Sequence, residues 1–284
     1  MAHSHAALQR ETDIPLEDGE LRRIAQLVYQ RAGITLHEGK RQLILARLHR
    51  HVAAGGFPSF AAYLKHVERD ASGAALTKLL DAIATNHTSF FREEEHFQVL
   101  QQTVLPPLVA AAAPIRVWSA ACSTGEEPVT LAVTLREAVP EAALGRVRLM
   151  ASDLSTKALA VARRGVYRVE RLAGVPQPLL RKYFERGLGE QSGLARVAAP
   201  VLKMIEYRQA NLLEVNLLNE QFDVIFCRNV MIYFDRHVQQ RVVTTLERHL
   251  APGGYLFISH SESLNRITHG LRWTAPAVFR REPR

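Results

Sequence analysis

The stretch IRVWSAACSTGEEPVTLAVTL, residues 115–135, contains in order the signals of a strand, a loop and a helix. Its first residues are mostly apolar and bulky, which favours a buried strand. Small residues then run to Gly125, and Pro128 follows where it suits the first turn of a helix. Ligands of open α/β sheets bind outside the carboxyl ends of the strands. The stretch therefore predicts an α/β fold with a ligand site in the loop after the strand.

The same alternation of strand and helix signals continues along the chain. Further strands are predicted at residues 147–151, 205–208, 222–227 and 255–259, and helices at 129–138, 156–164 and 236–249. Strands that alternate with helices form a mostly parallel sheet covered on both faces. The apolar pair Val278-Phe279 predicts a final edge strand.

Two parts of the chain depart from this alternation. Residues 1–85 show helical spacing only, with Ser59 placed to cap a third helix, so we predict a separate N-terminal bundle of helices. The stretch between residues 164 and 205 is longer than a simple crossover needs. It predicts a subdomain of residues 168–204, inserted in a second domain of residues 86–284.

The composition limits the class of protein. Hydrophobic residues make up 47% and charged residues 23%, as in globular proteins, which argues against disorder. The net charge of +8 favours an acidic partner, which can be nucleic acid, a membrane surface or an acidic protein. We expect no membrane span and no signal peptide, because no apolar run is long enough. Two cysteines are too few for a disulfide scaffold, so we expect a reduced protein of the cytoplasm.

Acidic residues flank the predicted ligand loop. Glu126 and Glu127 would repel a pyrophosphate but suit a cationic ligand with an amino group, such as S-adenosylmethionine. They equally suit the positive end of a helix dipole. Asp153 follows the second strand, where an acid binds ribose hydroxyls, although Asp153 or Ser155 can also cap the next helix.

The ends of the later strands complete this pattern. Asn211-Leu212-Leu213 follows the third strand, where an adenine would lie, and residues 227–235 after the fourth strand would face the reacting centre. The G-x-G-x-x-G spacing of dinucleotide-binding loops is absent after the first strand. The ordered set favours S-adenosylmethionine over a dinucleotide.

Three long motifs carry a resemblance to a known family. They are NHTSFFRE at residues 86–93, VWSAA at 117–121 with GEEP at 125–128, and RNVMIYFD at 228–235. Together they resemble the chemotaxis receptor methyltransferases, the CheR family, over residues 17–281. The resemblance implies an N-terminal helical domain, a Rossmann-like S-adenosylmethionine-binding domain and a small antiparallel β-subdomain inserted in the latter.

The resemblance also implies roles for individual residues. It places cofactor contacts at Asn86, Thr88, Arg92, Glu127, Asp153, Asn211, Leu212, Arg228 and Asn229. It implies that Arg92 lies near the methyl donor and that Tyr233 is the active-site tyrosine. No metal site is expected.

The implied reaction transfers the methyl group of S-adenosylmethionine to a glutamate side chain of a receptor. A carboxylate of pKa about 4.3 is already ionised at neutral pH, so no general base is needed. The enzyme must instead supply alignment and removal of water. The planar fork of Arg92 suits a carboxylate of the substrate or of the cofactor, or pairs with an acid within residues 93–95. Tyr233 positions the substrate or lines the pocket.

Two surfaces are candidates for partner binding. Lys40, Arg47 and Arg50 fall on one side of a predicted helix, which is either a solvated face or a docking face for acidic receptor helices. The segment that contains Gly187 and Gly189 resembles the part of some family members that binds a receptor's C-terminal tail by strand addition. We expect a monomer.

Three other functions compete with this one. A nucleic-acid methyltransferase would suit the positive charge, but residues 228–231 lack the Asn/Asp-Pro-Pro-aromatic run typical of amino-group methylation. A non-catalytic module that senses the cofactor is disfavoured because Arg92, Asp153, Asn229 and Tyr233 are all present. A dehydrogenase is the least favoured.

Overall fold

The computed structural model describes residues 14–36, 39, 41–84, 86–214 and 220–283. The chain divides into two compact units, residues 1–85 and 86–284. Each unit has its own buried core.

The first unit is a bundle of helices, as predicted. Its helices are α1 (Asp18–Ala32), α2 (Arg41–Ala54), α3 (Phe60–Arg69) and α4 (Ala74–Ile83). Gly33 ends α1 in the left-handed conformation, and the Ser59 side chain accepts a hydrogen bond from the Ala62 amide and so caps α3. Apolar residues at helical spacing meet in the core, among them Ile24, Leu48, Leu64 and Leu79.

The second unit is built on a seven-stranded sheet. Its strands are β1 (Ile115–Ala120), β2 (Val147–Asp153), β6 (Ile205–Gln209), β7 (Phe222–Cys227), β8 (Leu250–Phe257), β9 (Leu271–Ala275) and β10 (Val278–Arg281). The order is β6-β2-β1-β7-β8-β10-β9, in which the first five strands are parallel and β10 runs antiparallel to both of its neighbours, β8 and β9. Consecutive residues of β7, such as Val224, Ile225 and Phe226, are fully buried, which requires cover on both faces.

Helices connect and cover these strands. They are α5 (Glu94–Val99), α6 (Leu105–Ala110), α7 (Glu126–Ala138), α8 (Glu141–Leu144), α9 (Thr156–Arg164), α10 (Gln177–Tyr183), α11 (Ala199–Leu202) and α12 (Arg236–His249). A π-helical stretch at Leu100–Val104 joins α5 to α6. The helix α9 packs on β2 and β6, and α12 packs on β8.

A three-stranded antiparallel sheet forms the inserted subdomain. Its strands are β3 (Val166–Arg168), β4 (Phe184–Arg186) and β5 (Leu194–Val197), in the order β3-β5-β4. Phe90 packs edge-on against Tyr167 of β3 and Phe184 of β4, so the small sheet is anchored to the segment that precedes α5. The predicted fold class is confirmed.

The prediction for the last strand is wrong in one respect. Val278-Phe279 begins β10, but β10 lies between β8 and β9, so it is not at the edge. The edge strand is β9, which has exposed side chains and was not predicted. The sequence signal was weak because an edge strand with one solvated face carries little apolar periodicity.

Candidate active site

The carboxyl ends of β1 and β7 lie side by side at the centre of the large sheet, where Ala120 pairs with Cys227. From this point β2 and β6 extend to one side and β8, β10 and β9 to the other. Such a topological switch point leaves a crevice outside the strand ends, in which ligands bind. The loops at 121–125 and 228–235 line this crevice.

One carboxylate shapes the loop after β1. Asp153, at the end of β2, accepts hydrogen bonds from the Ser123 amide at 2.7 Å and from the Ser155 amide at 2.8 Å. The cap of α9 is Ser155, whose side chain accepts from the Ala158 amide. An ionised carboxylate offers about four lone-pair sites, so ordering this loop and binding a ribose hydroxyl are compatible roles for Asp153.

Backbone strain is concentrated around the crevice. Eight non-glycine residues in the described part of the chain have positive φ. Five of the eight lie in or next to the site loops: Phe91, Glu93, Ala121, Ser123 and Asn229. Such conformations cost about 1–3 kcal/mol each and cluster where geometry serves binding or catalysis.

The two glutamates at the start of α7 have different environments. The Glu126 side chain is fully buried and pairs with Arg171 of the inserted subdomain, while the Thr124 hydroxyl donates to it at 2.7 Å. Glu127 instead accepts from the Ser119 hydroxyl at 2.7 Å and lies 3.3 Å from Arg228. Burial raises the pKa of the Glu127 carboxyl, and the nearby Arg228 only partly opposes this effect. Of the two acids, Glu127 is the one placed towards the crevice.

Arg228 joins three segments of the site. Its guanidinium is almost completely buried and lies 3.2 Å from Glu93 and 3.3 Å from Glu127. It also donates to the backbone carbonyl of Arg92 and lies over the ring of Phe97. Its two terminal nitrogens thus contact protein groups and fix the 86–93 segment against the end of β7, while the buried Nε has no hydrogen-bond partner within the described residues.

The loop after β7 is held by residues that the sequence analysis missed. The Asn229 amide nitrogen donates to the Ser259 hydroxyl at 2.6 Å, and this hydroxyl donates to Glu93 at 2.7 Å. The Glu262 carboxylate accepts from the backbone amides of Ser259, Val230 and Met231. The available signal was the polar run at 259–263 directly after a buried strand, at the same edge of the sheet as the other loops.

Of the two residues expected to act on the substrate, Arg92 lies in the 86–93 segment and Tyr233 in the loop after β7. Arg92 is half-buried and donates to the His87 carbonyl at 3.1 Å. None of the described carboxylates lies within ion-pair distance of its guanidinium, so the pairing with an acid of residues 93–95 is not formed. Tyr233 is half-buried at the end of a single 3-10 turn, which Gln239 holds by donating to the carbonyls of Met231 and Phe234.

The remaining predicted cofactor contacts lie at both flanks of the crevice. Asn86 and Thr88 are half-buried, and the Thr88 carbonyl accepts from Arg171 at 3.2 Å. Asn211 lies two residues after Gln209, which pairs with Asp153, and it accepts from the Leu213 amide at 3.1 Å; Leu212 is half-buried. The structure brings the predicted residues to neighbouring strand ends and to the segment before α5.

The predicted partner-binding residues have different structural environments. Lys40 lies outside the described residues. Arg47 donates to the Ile83 carbonyl at 2.6 Å at the end of α4, and Arg50 is exposed. Gly187 and Gly189 follow the edge strand β4, and a Cβ on Gly187 would lie 2.1 Å from the Gln191 carbonyl oxygen.

Within the described residues, no helix is long and apolar enough to cross a membrane.

Comparison with known families gives matches to both units. The family described as "CheR methyltransferase, SAM binding domain" matches residues 86–276, and "CheR methyltransferase, all-alpha domain" matches residues 19–84.

Comparison with individual proteins gives matches over nearly the whole chain. A chemotaxis protein methyltransferase of Salmonella typhimurium is 41% identical over 273 residues, which cover 96% of this chain and 93% of the relative. Chemotaxis protein methyltransferase 2 of Pseudomonas aeruginosa is 40% identical and covers 92% of both chains. A chemotaxis protein methyltransferase of Borreliella burgdorferi is 35% identical, with 95% of this chain and 96% of the relative covered.

Proposed function

The chain belongs to the CheR family of S-adenosylmethionine-binding methyltransferases, and on this premise we propose that it methylates glutamate side chains of chemotaxis receptors. The products are glutamyl 5-O-methyl esters and S-adenosylhomocysteine. The observation that carries the carboxylate substrate is Arg92, which lies near Glu127 and forms no direct ion pair with a carboxylate in the described part of the chain. Its planar guanidinium suits the two oxygens of a carboxylate.

The residues of the crevice fit S-adenosylmethionine, which supplies an activated methyl group when bound. The buried Glu127 carboxylate suits an ammonium group, and Asp153 suits ribose hydroxyls. The buried Ser123 hydroxyl has no hydrogen-bond partner within the described residues and can serve a polar ligand atom. We propose that Asn86, Thr88, Asn211, Leu212 and Asn229 complete the contacts, with Arg228 holding these segments in place.

The proposed chemistry needs no base from the protein. A substrate glutamate of ordinary pKa, about 4.3, is ionised at neutral pH. The thiols of Cys122 and Cys227 are buried and their pKa values are raised, so neither is suited to act as a nucleophile. We propose that Arg92 orients the glutamate and that Tyr233 forms the wall that excludes water.

We propose that the receptor's cytoplasmic helices dock on the basic side of α2 through Arg50, and that the protein acts in the cytoplasm as a monomer. The tail of a receptor is proposed to add to β4, the outer strand of the small sheet in the described part of the chain, beside Leu188, whose side chain is 86% exposed. Tethering of this kind raises the local substrate concentration without changing the chemistry.

The test uses purified protein, radiolabelled S-adenosylmethionine and membranes that carry receptors of the same cell. We expect label on receptor protein that mild base releases as methanol. Arg92→Ala should reduce transfer about 100-fold or more, because orientation of the nucleophile is lost, while Arg92→Lys retains part of it.

Calorimetry with S-adenosylhomocysteine separates the two roles of Arg92. Unchanged affinity in Arg92→Ala assigns the arginine to the substrate, and a large loss of affinity assigns it to the cofactor. Binding without any label would contradict the enzymatic proposal and favour a sensor. Base-stable label on protein or nucleic acid would contradict a glutamate substrate.

A further inference from the structure

Three side chains with metal-ligating atoms meet beside the candidate active site. The carboxylate of Glu93 and ring nitrogens of His96 and His260 all lie within 4.8 Å of one another. His96 Nδ1 is 3.4 Å from Glu93 Oε2, and the rings of His96 and His260 stack with centroids 4.6 Å apart. The methyl-transfer chemistry proposed above uses neither histidine.

His96 is the anomalous member of this cluster. Its side chain is 1% exposed, its Nδ1 lies 3.4 Å from Glu93 and the Pro276 backbone also acts on its ring, but neither ring nitrogen makes a hydrogen bond of good geometry within the described residues. A neutral imidazole carries one N–H donor and one acceptor, and a buried polar group with poorly aligned partners loses part of its hydrogen-bond energy. A water or an ion can complete the contacts of such a group.

The types of ligand suit a cation, because imidazole nitrogens and carboxylate oxygens both bind divalent metals. His260 is exposed and provides a path from solvent.

We propose that Glu93, His96 and His260 form a binding site for a divalent transition-metal ion of the zinc class. Two imidazoles and one carboxylate form a ligand set used by zinc, and water can take the fourth position. The guanidinium of Arg228, 3.2 Å from Glu93, opposes the charge of the metal, so the site is weaker than a structural zinc site. Glu93 and His96 are three residues apart, but His260 follows 164 residues after His96, so the complete ligand set shows no metal-ligand spacing in the sequence.

The test measures zinc binding by the full-length chain, purified without a histidine tag, by competition with a chromophoric chelator. His3 and His5 can bind metal independently of the cluster, so all variants carry His3→Ala and His5→Ala. We expect one saturable zinc ion per chain. His260→Ala, a surface change, should weaken binding about tenfold or more. His237→Ala removes another exposed histidine, from α12, and should leave binding unchanged.

A second measurement guards against indirect effects. Cobalt in place of zinc should give the visible absorption of an ion with nitrogen and oxygen ligands. Both His96→Gln and His260→Ala should abolish this absorption. Circular dichroism of the two variants should show that the chain is folded. Absence of saturable binding, or an unchanged affinity for zinc in His260→Ala, would overturn the proposal. Equal loss in His237→Ala would do the same. Neither result depends on whether the protein methylates receptors, because no substrate or cofactor is present.

Discussion

Arg228 is the residue at which the segments of the candidate site meet. It lies between Glu93 and Glu127 and reaches the Arg92 backbone, so three segments depend on one guanidinium. A buried ion pair contributes little net stability while intact, but breaking it leaves an uncompensated buried charge. The raised pKa of Glu127 indicates that burial outweighs its favourable contacts. The ammonium group of a bound cofactor would supply the missing compensation, and this links ligand binding to the same cluster.

The lowered pKa of one residue, His96, makes the free energy of unfolding depend on pH. The pKa of its imidazole falls from 6.5 to about 4 on folding, mainly because of burial, with Arg228 adding to the decrease and Glu93 opposing it. Between these values the unfolded chain binds more protons than the folded one. The free energy of unfolding should therefore rise as the pH increases from 4 to 6.5. Urea unfolding at several pH values, with a chelator present, measures this rise.

The variant His96→Gln isolates the contribution of this imidazole. The stability of the wild type relative to His96→Gln should increase across that pH interval and stay constant above it. His237→Ala, at an exposed histidine of α12, should show the pH dependence of the wild type. A constant difference between wild type and His96→Gln from pH 4 to 7 would contradict the lowered pKa.

At the scale of elements, the inserted subdomain braces the loop that follows β1. Arg171 of the subdomain pairs with the fully buried Glu126 and donates to the Thr88 carbonyl, and the Tyr167 hydroxyl donates to the Thr124 carbonyl at 2.9 Å. Gly125 has a φ of 99°, and a Cβ there would lie 2.8 Å from the Tyr167 hydroxyl. The subdomain is thus in direct contact with two segments of the candidate cofactor site.

Removal of the Arg171 contact should loosen this loop. Arg171→Ala leaves the Glu126 carboxylate buried without its cation, so we expect a loss of about 1–3 kcal/mol in the free energy of unfolding. Affinity for S-adenosylhomocysteine should fall about tenfold, measured by calorimetry. Arg171→Lys should lose less of the free energy of unfolding and less of the affinity for S-adenosylhomocysteine than Arg171→Ala. Arg168→Ala, at an exposed arginine of the same subdomain, should change neither. An unaltered affinity for S-adenosylhomocysteine in Arg171→Ala would show that the contact between Arg171 and Glu126 does not affect the cofactor site.

The elements of the fold were largely predictable, and the contacts between them were not. The bounds predicted for α9 and α12, residues 156–164 and 236–249, are those observed, because caps and apolar spacing mark both helices locally. The ion pair of Glu126 with Arg171 and the hydrogen bonds that Glu262 accepts from the amides of residues 230 and 231 join parts of the chain that are distant in sequence. Local sequence patterns carry no signal for such contacts. For the same reason, periodicity could not reveal that Asp153 orders the loop of the preceding strand.

At the scale of the whole molecule, the net charge of +8 and the exposed basic positions of α2 make association with an acidic partner sensitive to salt. Charges at the rim of an interface act mainly on the association rate and its salt dependence. If receptor helices dock through Arg50, kcat/KM for receptor methylation should fall several-fold between low and physiological ionic strength. Arg50→Glu should lower kcat/KM at low salt and flatten this dependence, with affinity for S-adenosylhomocysteine unchanged. Arg241→Glu, at an exposed position of α12, makes the same change in net charge and serves as the matched control. Equal effects of the two substitutions would mean that net charge alone steers the receptor, and the proposed docking face on α2 would be wrong.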